Sequence, residues 1–191
     1  VGTFNAYERY LSNTAWTWEH QALVRARFVA GNEEYKTRFE EIRQNLISSV
    51  RDKKKLQEDV RNMRERMRLH LATKIIEQPS VEIASFDIEP FDLKHGVGAI
   101  VDIEFLVQYW VLVNGHENPT LGKWTDKVRL LESLARIKLI SPQEAEVLNN
   151  AYLAYRAAVH YTWLGGQLAS YDQLNNYREE VLLIWQQHML D

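Results

Sequence analysis

The sequence predicts an all-α protein, a bundle of about seven helices with one long irregular loop near residues 77–97. Three observations carry this. Breakers are scarce: 8 glycines and 4 prolines punctuate 191 residues, so the regular elements must be long. Apolar residues recur at three- and four-residue spacing over most of the chain, the period of a helix with one buried face. Several of these periodic segments open on residues that cap helices.

The elements follow in order. Residues 4–12 place Phe4, Tyr7 and Leu11 on one face of a short amphipathic helix. Asn13 or Thr14 can cap a second helix running to about Phe28, broken by Gly31 and Asn32. A third runs from about Glu33 to Val50, with Tyr35, Phe39, Ile42, Leu46 and Ile47 facing inward. Asp52 caps a fourth, from Lys53 to about Ile76, whose apolar stripe is Leu56, Val60, Met63, Met67 and Leu71. Between Glu77 and His95 the character changes: Pro79, Pro90, Ser80 and Ser85 interrupt, and the alternation Val81, Ile83, Phe86, Ile88 allows a short extended piece within the loop. An apolar helix then spans about Ala99 to Val113, ended by Gly115, with a turn marked by Pro119 and Gly122. The last third holds three helices. The first covers Thr125 to Ile137. The second opens on the capping box Ser141-Pro142-Gln143-Glu144 and runs to about Leu164, where Gly165-Gly166 stops it. The third opens on Ser170 with Gln173 and runs to about Met189. One helical domain over 1–191 is expected, with 1–77 and 98–191 as candidate sub-bundles.

Composition excludes several classes of function. A net charge of −3 gives no general electrostatic reason to bind nucleic acid or an anionic membrane. The absence of cysteine removes disulfides, cysteine-based zinc sites and thiol nucleophiles. No window is apolar enough to span a bilayer and no signal peptide is visible, so a cytoplasmic setting is expected. The chain starts on Val1, which suggests a piece of something longer. None of the six histidines pairs as H-x-x-x-H and H-E-x-x-H is absent, so no zinc-hydrolase metal site is expected. Neither a G-x-S-x-G elbow nor a Walker A loop occurs.

Three features could carry chemistry. Lys53, Lys54, Lys55, Arg61, Arg64, Arg66 and Arg68 make a basic helix that either meets an acidic partner or forms a solvated face, since Glu58, Asp59 and Glu65 are interleaved. Lys94-x-Gly96-x-Gly98 before a helix either lets backbone approach an anion or is a tightly packed turn. Asp102 and Glu104 would repel an anion there; they could hold Mg²⁺ or suit the helix dipole. Glu104 and Gln108 share a face at i, i+4, and Asp102 lies on another, near Gly98. Finally, Trp16, Trp18, Glu19, Gln21, Arg25 and Arg27 form a dense aromatic and guanidinium run. The tryptophans read as core, and Glu19 is expected to bond an arginine such as Arg25 or Arg27, or backbone.

The run from Trp16 to Arg27 resembles the W-x-W-E-x-Q-A-L-x-R-A-R segment of bacterial glutamine synthetase adenylyltransferases, bifunctional enzymes that also remove the adenylyl group. Phe91 to Phe105 resembles their F-D-[LI]-K-x-x-x-G-G-I-x-D-I-E-F segment, with Ala99 departing from the usual glycine, and Lys123 to Leu131 resembles the stretch that follows. PII uridylyltransferases share a looser form of the second segment. Val101-Asp102-Ile103-Glu104-Phe105 resembles the carboxy-terminal, adenylylating half, and Ile184 to Gln187 is similar to that half's end.

The resemblance implies a parent that transfers AMP from ATP to a tyrosine of glutamine synthetase, with Mg²⁺ neutralising charge. The metal-binding carboxylates of such enzymes lie in a nucleotidyltransferase core that this sequence lacks, so the fragment alone is expected to be inactive, to bind neither ATP nor Mg²⁺, and to contain no catalytic residue. Its expected partners are that core, glutamine synthetase and the PII signalling protein. Lys94, Gly96, Gly98, Asp102, Glu104 and Gln108 are the residues expected to face the cleft. The alternative is a non-catalytic module docking PII or glutamine synthetase through helix 53–68.

Overall fold

The structure, a computed structural model, describes residues 3–77 and 92–190. Among these residues there are eight α-helices, one 3-10 turn and no strand. The proposed extended piece at 81–88 and the side chain of Leu71 lie outside the described residues. The helices are α1 (Phe4–Asn13), α2 (Thr17–Arg25), α3 (Glu33–Ile47), α4 (Lys53–Glu77), α5 (Ile100–Asn114), α6 (Lys127–Arg136), α7 (Pro142–Trp163) and α8 (Asp172–Met189), with the 3-10 turn at Pro119–Lys123.

Local chemistry sets most of the helix starts. Thr3 accepts the Ala6 N–H at 3.2 Å to open α1, and Asn32 accepts that of Glu34 at 2.9 Å to open α3. The Asp52 carboxylate accepts the Lys55 N–H at 2.9 Å, as its position before the basic run predicts. The Ser141 box closes in both directions: Glu144 N–H to Ser141 Oγ at 3.1 Å, and Ser141 N–H to Glu144 Oε2 at 2.7 Å. Three starts differ from expectation. Residues 14–16 stay outside α2, because the Glu19 carboxylate reaches back to the Trp16 N–H at 2.9 Å and fixes the first turn there. α6 starts at Lys127, two residues after the expected Thr125, because Asp126 caps it by accepting the Arg129 N–H at 3.1 Å. Ser170 bonds Asp172 N–H at 3.0 Å instead of forming a box with Gln173.

The chain divides into two compact units that do not follow sequential halves: residues 1–60 with 104–145, and residues 61–103 with 146–191. The division falls within α4, α5 and α7. In the first unit Leu11, Leu23, Ile42 and Leu46 form a core cluster with Phe4, Ala15 and Ala26 against it. Burial at this level is the main source of stability, roughly 1.5–3 kcal/mol for each large side chain. Tyr35, expected inward, is 53% exposed, and the buried stripe of α3 instead includes Arg43. In the second unit Val101, Ile103, Leu148, Tyr155, Val181 and Trp185 are buried. Burial raises the Tyr155 phenol well above its ordinary range, and its hydroxyl donates to the Leu174 carbonyl at 3.4 Å. Met63 and Met67 of α4 are half-buried, and between them Arg64 is fully buried.

Candidate functional site

The turn Asp92–Gly98 and its supports belong to the second unit. Asp92 Oδ1 accepts the N–H groups of Lys94 and His95, both at 2.9 Å, an Asx-type turn. Gly98 has φ +79°, and a Cβ there would stand 2.7 Å from the Arg178 carbonyl oxygen, so only glycine fits. Its N–H donates to Asp102 Oδ2 at 2.6 Å. The carboxylate of α5 thus fills the position at its own N-terminus where an external anion would otherwise sit.

Asp102 has no exposed surface. Arg64 Nε donates to its Oδ1 at 2.5 Å, and Arg68 Nη2 donates to both oxygens at 2.9 Å. Arg64 Nη2 also donates to the carbonyls of His95 and Gly96, at 2.7 and 3.1 Å. Burial pulls the Arg64 pKa down, and the charge and hydrogen bond of Asp102 oppose that. The Arg68 guanidinium lies 5.8 Å from the Trp185 ring. Of the proposed cleft residues in this unit, the structure brings Gly96, Gly98 and Asp102 into one bonded node and leaves the Lys94 side chain exposed.

In the first unit Glu104 is held between two cations. Its Oε2 accepts from Arg25 Nη1 and its Oε1 from Lys127 Nζ, each at 2.7 Å, and the carboxylate is 12% exposed. Gln21 Nε2 donates to Gln108 Oε1 at 3.0 Å in a buried pair. Glu19 bonds backbone, as one of the two alternatives predicts, and also accepts the Tyr10 hydroxyl at 2.6 Å; both bonds lower its pKa, that of Tyr10 more. Arg25 goes to Glu104 instead, and Arg27 is exposed. Trp16 and Trp18 are not core: they are 63% and 47% exposed, because α2 turns Gln21, Leu23 and Val24 inward.

Sequence reasoning missed Arg43 in this unit. Its side chain is 2% exposed and donates to four carbonyls: those of Leu23 at 2.8 Å, Val24 at 2.9 Å, Trp124 at 3.2 Å, and Gly122. A cation placed on the last carbonyls of α2 also suits that helix's dipole. The signal for Arg64 was present: Arg64 and Arg68 are one turn apart, each one residue after a methionine of the apolar stripe.

The donor sets do not suit a magnesium–nucleotide site. Asp102 and Glu104 each spend their oxygens on two cationic side chains, and among the described residues no group of three or more His, Asp or Glu side chains gathers as a metal site. Nor is any helix among them long and apolar enough to cross a membrane.

Comparison with known proteins resolves the chain in two steps. The broader match is to the family model described as GlnD PII-uridylyltransferase, over residues 62–162, more than half of the chain and including the Asp92–Gly98 turn. The narrower one is to the model described as glutamate-ammonia ligase adenylyltransferase, over residues 1–42, which contain the Trp16–Arg27 run. Relatives named bifunctional glutamine synthetase adenylyltransferase/adenylyl-removing enzyme align over almost the whole chain. The one from Methylococcus capsulatus is 43% identical over 189 residues, 98% of this chain; that from Pseudomonas aeruginosa is 41% identical over 98%, and that from Pseudomonas putida 41% over 97%. The chain belongs to the glutamine synthetase adenylyltransferase family. It spans 19% of the length of these relatives.

Proposed function

We propose that this chain is the helical region of the adenylylating half of an enzyme that transfers AMP from ATP to a tyrosine of glutamine synthetase. The observation supporting this is the alignment of 98% of the chain, at 41–43% identity, with enzymes of that name. Transfer chemistry belongs to a nucleotidyltransferase core with its own carboxylates and metal, which are not among these residues. This region forms one wall of the cleft, positions the protein substrate and relays signals from PII. Within it Lys94 is the cleft-facing group, since its side chain is exposed on a turn that the neighbouring helices hold.

The test assays the isolated chain and a full-length adenylyltransferase containing it side by side for AMP transfer to glutamine synthetase. The full-length enzyme is expected to transfer and the chain alone not to. Transfer by the chain alone would end this reading.

A second reading, a docking module for PII, is favoured by the exposed cations Lys53, Lys54, Lys55, Arg61 and Arg66 along α4. It expects PII to bind the isolated chain with an affinity that falls steeply between low and physiological salt. Salt-independent binding, or none, would exclude it.

A further inference from the structure

The turn Asp92–Gly98 has no regular secondary structure, yet side chains from three helices grip its backbone. Arg64 of α4 holds the carbonyls of His95 and Gly96, Arg178 of α8 holds that of Val97 at 3.0 Å, and Asp102 of α5 holds the Gly98 N–H. The exposed Lys94 side chain therefore rises from a fixed root.

The bonds divide the labour within this node. Asp102 is bonded to two arginines, and Arg68 alone touches both of its oxygens. Neutralising the buried carboxylate therefore does not require Arg64. What Arg64 supplies and Arg68 does not is the pair of bonds to the two turn carbonyls just after Lys94, the second of which also accepts the Ala99 N–H at 3.2 Å. We propose that Arg64 is a positioning residue for the transfer reaction: it fixes the His95 and Gly96 carbonyls and through them the stance of Lys94 in the cleft. The proposal rests on the reading that Lys94 faces the cleft. Small displacements of a positioned group can cost about 100-fold in rate, so the effect is measurable.

The experiment is a double-mutant cycle in a full-length adenylyltransferase containing this chain. Lys94→Met, Arg64→Met and the pair are compared for kcat and KM of AMP transfer to glutamine synthetase. Arg64→Met is expected to lower kcat/KM by about 10-fold or more, Lys94→Met by at least as much, and the pair by no more than about twofold beyond Lys94→Met. Arg64→Lys, which keeps the charge but gathers its donors on a single nitrogen, should recover part of the loss. Losses that multiply, or an Arg64→Met enzyme as active as the parent, overturn the positioning role while leaving Lys94 in the cleft. An unaffected Lys94→Met enzyme instead overturns the cleft reading, and the positioning role with it. Should Arg64→Met fail to fold, amide exchange in Arg64→Lys decides: faster exchange at 95–98 with α5 unchanged supports the role, and unchanged exchange at 95–98 refutes it.

Discussion

Arg43 in one unit and Arg64 in the other are both mid-helix arginines shut away from water, at 2% and 0% exposure, yet they are bonded in different ways, and Arg64 Nη1 has no hydrogen-bond partner. Arg43 has four neutral carbonyls, and its nearest carboxylate, Glu40, is 3.9 Å away and about half exposed. Arg64 has a buried carboxylate, two carbonyls, and a second arginine sharing the same acid. The difference teaches what each can lose. Arg43 ties the end of α2 to the Gly122–Trp124 backbone. In the second unit the carboxylate has a reserve partner, so removing Arg64 releases backbone geometry more than it strands a charge.

The largest expected effect follows directly. Arg43→Met removes all four bonds, with only the Leu23 carbonyl keeping a second donor in the Ala26 N–H, and should lower unfolding free energy by about 3–5 kcal/mol, read by urea denaturation. Arg64→Met should cost clearly less, about 1–3 kcal/mol; equal losses would break the contrast. Gly98→Ala probes the second unit from the backbone side. A left-handed φ and a Cβ 2.7 Å from the Arg178 carbonyl oxygen together predict a loss of about 2–4 kcal/mol.

A smaller effect sharpens the contrast through pH. His20 sits between the Leu11 carbonyl, 2.9 Å from Nε2, and Arg51 Nη1, 3.0 Å from Nδ1. Burial lowers its pKa foremost and the Arg51 cation adds to this, against the pull of the Leu11 carbonyl and Glu19. The unfolded chain, with a histidine near the usual value of about 6.5, therefore takes up the proton first as pH falls. Stability of the first unit is full above that value and declines below it until the folded imidazole also titrates. Denaturation from pH 7.5 to pH 5.5 should show the decline, and His20→Gln should flatten it. The smallest expected effect is a gain: Lys138 carries φ 60° between α6 and α7, and Lys138→Gly should add up to about 1 kcal/mol of stability.

The same contrast explains how far the sequence could be read. Helix starts at Asp52 and Ser141 were legible because a cap and its target are three residues apart. The nearness of Asp102 to Gly98 was legible for the same reason, one helical turn. Arg43 was not, since periodicity assigns a charged residue to the solvent face and its partners Gly122 and Trp124 lie far along the chain; for Arg64 the place beside the apolar stripe was legible, but its distant partner Asp102 was not. Trp16 and Trp18 failed in the opposite sense, large apolar side chains read as core but left exposed. The family motif marked this run and the Lys94 turn without saying which of its members are buried.

The central claim is that these helices position a protein substrate for a transfer reaction performed elsewhere in the enzyme. Excising the segment from a full-length adenylyltransferase and following both ATP binding and AMP transfer tests it most directly. The account predicts that ATP still binds the remainder while transfer to glutamine synthetase is lost; undiminished transfer without the segment would contradict it.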